Sequence, residues 1–252
     1  MRQERLSAMT RIIRERRSMS VSALMREFDI SYPTLRRDLS VLAARGVIKR
    51  VRGGAVIHEG LGTGPSWFRY LDAKHRSKVR MGEVAAKLVK PRQTVIIENG
   101  GTTLEVARAL LRVADLVVVT NSLEISYLLN IYGKCRQVIL TGGILRSDSY
   151  LYGPLTIATL EQFSADLAFV GANSVSLEHG IMDSDLMYSH IKRTIIRSAK
   201  KAILVADYSK FKREDTIVVE PLNALDTIVT TDEISEETRN AIIARNINLL
   251  IA

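Results

Sequence analysis

Two short stretches carry residue types whose spacing could do chemistry. The first is Ser31-Tyr32-Pro33-Thr34-Leu35-Arg36-Arg37-Asp38-Leu39, with two adjacent arginines. Arginine forks onto guanine O6 and N7 or pairs with a phosphate. At a helix start, Ser31 and Thr34 could add donors where the dipole favours anions. The second stretch is Asn99-Gly100-Gly101-Thr102-Thr103. Its glycines let backbone N–H groups come close to an anion, and its hydroxyls add donors. The first pattern suits a DNA groove, the second a phosphate group.

The elements that must position the arginines can be read around them. Leu6, Met9, Ile12 and Ile13 fall on one face of a helix over 2–17. Val21, Leu24, Met25 and Phe28 predict a second helix over 21–28, capped by Ser20 or Ser22. After the tight connection Asp29-Ile30, Ser31 is placed to cap a third helix, with Pro33 in its first turn. Leu35, Leu39 and Leu42 point inward, and Gly46 ends this helix. Residues 47–56 then read as two short strands around a turn, the wing of a winged helix-turn-helix. The third helix is the recognition helix, and Tyr32, Thr34, Arg36 and Arg37 are its candidates for DNA contact. On the wing, Arg50 and Arg52 suit phosphate or the minor groove.

Residues 58–76 contain Gly60, Gly62, Gly64, Pro65 and Ser66 and read as a linker. Trp67, Phe68 and Tyr70 give its later part an apolar character that predicts packing. From residue 77 helices and strands alternate. Helices are expected at 79–88, 103–111, 123–131, 184–198 and near 236–244. Strands are expected at 95–97, 116–119, 138–140, 168–170, 202–205, 227–229 and 249–251. This order implies an α/β domain over 77–252, its mainly parallel sheet covered on both faces. The loop 99–103 then lies at the carboxyl edge of the sheet, where ligands of open α/β sheets bind. Asn121 and the group Asp207 and Lys210 follow two further strands. Lys210 could neutralise a phosphate, and Asp207 and Asn121 could bond sugar hydroxyls. Each of the three could equally be a cap or a surface group.

The charge is divided unevenly. Of 252 residues with a net charge of +9, residues 1–57 hold 13 lysines and arginines against 5 acidic residues, and the remainder 23 against 22. A basic head on a nearly neutral body predicts a polyanion partner, here double-stranded DNA. Cys135 is the single cysteine, which excludes an internal disulfide and a cysteine-rich metal site. The charged N-terminus has no signal-peptide core, and no run is long and apolar enough to span a membrane. A cytoplasmic location is expected. His58, His75, His179 and His190 are scattered and give neither metal nor triad spacing. No catalytic residue, metal or cofactor is therefore expected.

The string 31–39, followed by Leu42, Gly46, Arg50 and Gly53-Gly54-Ala55, resembles the signature of the DeoR family of bacterial transcriptional regulators. Leu35 is a mild variant of the family's usual Thr-Ile-Arg-Arg-Asp-Leu core. The resemblance runs through Gly101-Thr102-Thr103, Thr120-Asn121, Gly142-Gly143, Gly153, Asp166, Gly171, Gly180, Lys192 and Asp207-Tyr208-Ser209-Lys210-Phe211. It implies a body similar to the ribose-5-phosphate isomerase fold that senses a phosphorylated sugar or related metabolite. It adds Lys78 to the effector candidates. The family commonly has Asp where this chain has Asn99, which can donate as well as accept and carries no charge. The resemblance implies a regulator, in the main a repressor of carbohydrate genes. A homo-oligomer, dimer or tetramer, would suit a palindromic or repeated operator. The competing reading is a sugar-phosphate isomerase joined to a DNA-binding head. Such an enzyme needs a positioned carboxylate base, yet the loop offers Asn99. Asp183 and Asp185 read as the polar start of a helix, and Glu98, the residue before Asn99, leaves the strand in another direction.

Overall fold

The head begins with α1 (Arg2–Arg16), β1 (Ser18–Ser20), α2 (Val21–Phe28) and α3 (Tyr32–Ala44), and ends with β2 (Ile48–Val51) and β3 (Gly54–Ile57). The computed structural model describes residues 2–16, 18–44, 48–51, 53–57, 75–146 and 148–252. The chain divides into two compact units, Met1–Leu71 and Asp72–Ala252. Gly46, Arg52 and linker residues 58–74 lie outside the described residues, as do the side chain of Arg50 and the expected packing of Trp67, Phe68 and Tyr70.

Helix α2 starts because Ser20 Oγ accepts the Ala23 N–H at 3.2 Å. It stops because Asp29 turns left-handed, with φ 46°. Leu6, Met9 and Ile13 of α1 meet Leu24 of α2 and Leu35, Leu39 and Leu42 of α3 in one core with Ile48 and Ala55. The wing has one strand more than the sequence suggested: β1 pairs antiparallel with β3, which also pairs with β2. A three-residue strand directly before a helix leaves too short a pattern to read.

In the body, α4 (His75–Ala86) leads into β4 (Thr94–Ile97), α5 (Gly101–Ala109), β5 (Val117–Thr120), α6 (Leu123–Tyr132) and β6 (Gln137–Leu140). A two-stranded ribbon, β7 (Ile144–Leu145) and β8 (Leu151–Tyr152), precedes α7 (Pro154–Leu160) and β9 (Leu167–Val170). Next come β10 (Ser174–Ser176), β11 (Gly180–Asp183), α8 (Leu186–Arg197), β12 (Ala202–Val205), β13 (Ile217–Glu220), β14 (Thr227–Thr230), α9 (Glu236–Ile243) and β15 (Asn248–Ile251). Seven strands form a sheet in the order β15-β14-β12-β9-β4-β5-β6, every pairing parallel. The expected α/β body with a parallel sheet is therefore the observed one.

Several boundaries shift. The first body helix begins at His75, so the last two residues of the expected linker are helical. The helix expected at 103–111 starts at Gly101 and closes in a 3₁₀ turn, Leu110–Arg112. The one expected at 184–198 starts at Leu186, because Asp185 caps it by accepting the Tyr188 N–H. Helix α7, the ribbon β7-β8 and the small antiparallel sheet β10-β11-β13 were not expected.

The strand order singles out one edge of the sheet. From the central neighbours β4 and β9 the chain winds outward in opposite directions: β4 to β5 to β6, and β9 to β12, β14 and β15. With right-handed crossovers, the helices of the two halves cover opposite faces. The loops leaving β4 and β9 therefore part at the carboxyl edge, the switch-point crevice where ligands of open α/β sheets bind.

Candidate DNA-reading helix and effector site

Helix α3 turns its apolar side inward and its polar side out. Leu35 is fully buried, while Tyr32 is 49% exposed and Arg36 and Arg37 are also exposed. Asp38, beside the arginine pair, is buried at 1% exposure and accepts a bond from Arg5 Nε of α1 at 2.8 Å. That contact fixes the rotation of α3 about its axis and hence which side the arginines present. Ser31 occupies the cap position, its carbonyl accepting the Leu35 N–H, while its hydroxyl lies 3.1 Å from that of Thr34. The wing turn is tied down by the Val21 N–H, which donates to the Gly53 carbonyl at 2.9 Å. Gly54 is required where β3 meets β1, since a Cβ there would lie 2.4 Å from the Met19 carbonyl oxygen.

In the body, the loop Asn99–Thr103 leaves β4 at the crevice. Gly100 is extended and precedes the first turn of α5. Thr103 is fully buried and donates its hydroxyl to the Gly100 carbonyl at 3.0 Å, which shapes the loop from behind. Gly101 and Thr102 stand at the open end of the helix. Lys78 of α4 reaches the same place, its Nζ 3.6 Å from where a Cβ on Gly101 would sit. Asn121 is fully buried: Oδ1 accepts the Asn99 N–H at 2.9 Å and Nδ2 donates to the Leu151 carbonyl at 3.2 Å. It joins the ends of β4 and β5 to the ribbon, so its amide is committed to the scaffold. Asp207 follows β12 at the same sheet edge, caps the turn Tyr208–Lys212 by accepting the Ser209 N–H, and places Lys210 there.

Sequence reasoning missed the centre of the crevice. Glu98, Asp183 and Lys192 are each 1–2% exposed and converge on one another. Lys192 Nζ lies 3.0 Å from Asp183 Oδ2 and 3.5 Å from Glu98 Oε1. Glu98 Oε2 accepts the Gly171 N–H at 2.6 Å, a bond that bridges β4 and β9 across the crevice. Asp183 Oδ1 accepts from Asn173 Nδ2 and from the Ser184 N–H, each at 2.8 Å. Tyr188 donates to the Asn99 carbonyl at 3.0 Å, and its ring lies under Lys192. Burial pushes the Glu98 carboxyl up, with Lys192 opposing it. Burial also works against the Lys192 charge, but Glu98 and Asp183 together outweigh it and raise that pKa. A cation held between two carboxylates is a fixed strut. Glu98 leaves β4 on the side opposite Asn99, as expected, and that side faces the end of β9, which brings its carboxylate to the Gly171 N–H. Lys192 carried a signal only through its place in the family pattern, since its partners are distant in sequence.

An arginine-bearing winged helix-turn-helix joined to an α/β body with a ligand-type crevice defines a ligand-responsive DNA-binding regulator. The comparisons agree. The family description "DeoR-like helix-turn-helix domain" matches residues 5–60, and "DeoR C terminal sensor domain" matches residues 73–232. The chain belongs to the DeoR family of transcriptional regulators. It is 31% identical over 217 residues to a glycerol-3-phosphate regulon repressor of Haemophilus influenzae, covering 85% of this chain and 83% of that one. It is 29% identical over 249 residues to an uncharacterized HTH-type transcriptional regulator of the same organism, covering 98% and 96%. Among solved structures, ribose 5-phosphate isomerase A from Methanocaldococcus jannaschii aligns over 55% of each chain at 16% identity, with a TM-score of 0.39. No group of His, Cys, Asp or Glu among the described residues could hold a metal ion. No helix among them is long and apolar enough to cross a membrane.

Proposed function

We propose that this regulator is a repressor of carbohydrate genes, acting in the cytoplasm as a homo-oligomer and retuned by a phosphorylated sugar or related polyol phosphate. The exposed side of α3 reads the operator: Tyr32, Thr34, Arg36 and Arg37 meet base edges and phosphates, Ser31 holds the helix start, and Arg50 and Arg52 hold the flanking backbone. A two-fold oligomer would match a palindromic or repeated operator, whose position decides repression against activation. In the body, the phosphoryl group sits on the N–H groups of Gly100, Gly101 and Thr102 beside Lys78, with Lys210 as a second cation. Asp207 and Asn99 take hydroxyls, while Asn121 and Thr103 hold the loop in shape.

The observation that carries this reading is the loop at the α5 N-terminus opening on the switch-point crevice with Lys78 at its mouth. The named relative, a glycerol-3-phosphate regulon repressor, supports the class of ligand. The test joins a thermal-shift screen of sugar phosphates and polyol phosphates with an anisotropy assay on DNA from beside the chain's own gene. A ligand that stabilises the body and changes DNA affinity is expected. Arg37→Ala should weaken operator binding by about tenfold to a hundredfold, the loss of one bidentate contact. Unaltered affinity in both Arg36→Ala and Arg37→Ala refutes the recognition helix.

A further inference from the structure

Behind the loop lies a charged cluster that the effector reading does not use. Helices α4 and α5 cross at Gly82, where a Cβ would lie 2.6 Å from the Glu105 carbonyl carbon. Only a glycine permits that approach. Lys78 is one helical turn before Gly82, and Gly101 is one turn before Glu105, so the crossing sets the lysine over the start of α5. Glu105 is only 5% exposed. Arg108 of α5 lies 3.4 Å from it, and the charges of Lys78 of α4 and Glu124 of α6 act on it from the helices on either side. One lysine thus stands between a buried carboxylate and a loop built for an anion.

We propose that Glu105 and an anion on the Gly100–Thr102 loop compete for Lys78, so that anion binding is coupled to uptake of a proton by Glu105. The proposal rests on the reading of the loop as the anion site. An anion draws the lysine's charge toward itself and adds a negative charge one turn from Glu105. Both effects favour the neutral carboxyl. Burial, with Glu124 adding to it and Lys78 opposing, already pushes Glu105 up to about 7. The exchange therefore falls near neutral pH, where ordinary glutamates, at about 4.3, are fully ionised. A group whose pKa is raised on binding gives affinity that is full at low pH and lost as pH rises through its pKa in the complex. Glu105 is a positioning residue: it sets how much of Lys78 reaches the ligand, without touching the ligand itself.

The probe is sulfate, because a phosphomonoester with a second pKa near 6 would change its own charge in the same range. Sulfate binding to the full chain is measured by calorimetry at about pH 6, 7 and 8, in buffers of unlike ionisation heat so that proton uptake is read directly. The wild type should lose roughly threefold or more in affinity across this range, within the limit of about tenfold per pH unit for one proton. Glu105→Gln should bind sulfate at least as well as the wild type at the high end, with a flat profile and no proton uptake. Glu124→Gln keeps Glu105 and should move the midpoint to lower pH. A Glu105→Gln variant with the wild-type slope, or a pH-independent wild type, overturns the coupling and leaves the loop as the anion site. Sulfate binding that is absent, or unaffected by Lys78→Ala and Gly101→Asp, overturns both.

Discussion

Lys192→Met tests whether the buried strut carries the crevice. The substitution keeps a long apolar stem and removes one charge. It leaves Glu98 and Asp183, each 1% exposed, without the cation that lies 3.5 and 3.0 Å from them. Breaking a buried pair from one side costs about 3–5 kcal/mol. Two features place this case at the lower end. Asp183 keeps the Asn173 amide and the Ser184 N–H, and Glu98 keeps the Gly171 N–H on its other oxygen. A loss of about 3 kcal/mol in a body of this size lowers Tm by roughly 6–12 °C. The pH dependence gives the mechanism. Burial holds the folded Glu98 pKa above 4.5, and the lysine opposes that rise. A carboxyl raised on folding adds stability that is full below its unfolded pKa and lost as pH rises through the folded one. Without Lys192 the folded pKa climbs further, so the deficit against wild type should widen between about pH 5 and about pH 8. Thermal unfolding of the full chain by circular dichroism at both ends of that range reads it. A Tm loss below about 2 °C, or an equal loss at both pH values, refutes the strut.

Two more substitutions probe contacts that aim the functional groups. Asp38→Ala removes the buried acceptor of Arg5 and should cost the head about 1–3 kcal/mol while the body's transition stays in place. Operator affinity should fall with it, although Asp38 itself is buried away from the exposed side that carries Arg36 and Arg37; a loss of affinity with no loss of stability would instead make Asp38 a direct contact. Gly82→Ala forces α4 off α5 at a 2.6 Å approach and should cost about 1–3 kcal/mol by overpacking. Because the crossing places Lys78, sulfate affinity should drop in this variant as it does in Lys78→Ala. Sulfate binding equal to wild type would separate the crossing from the site.

The head was legible because its signals are local. Ser20 as a cap, Asp29 at the turn and the leucine spacing of α3 are each decided within a few residues. The parallel sheet was legible for a related reason: strands buried on both faces, such as β9 and β12, read as unbroken apolar runs. What failed were elements too short to show a period, β1 and the ribbon β7-β8, and groups defined by long-range contact. Glu98 meets Gly171 across 73 positions, and Asn121 meets Leu151 across 30. Asn121 shows the limit well. Its type and its place after a strand suit a ligand contact, and the topology also brings a backbone partner to each end of its amide, which the sequence does not show.

The same contacts constrain what the crevice can hold. Glu98, Asp183 and Asp207 are three buried carboxylates at the ends of β4, β11 and β12, with Lys192 as the buried cation between the first two. An anion placed among them would meet net negative charge in a region poor in water, where like charges repel strongly. The loop behind Gly100 differs: its helix N-terminus and Lys78 both favour negative charge. A ligand that fits both regions carries its charge at one end and neutral donors at the other. Carboxylates only accept, so the donors must be hydroxyls or similar groups. A phosphorylated polyol has that polarity, whereas a free dicarboxylate or a bisphosphate would place its second anion against Asp183 and Glu98. Bisphosphates in the ligand screen are therefore the informative controls: one that binds more tightly than its monophosphate, and does so equally in Lys210→Ala, would show that Lys192 leaves its carboxylates when the ligand enters.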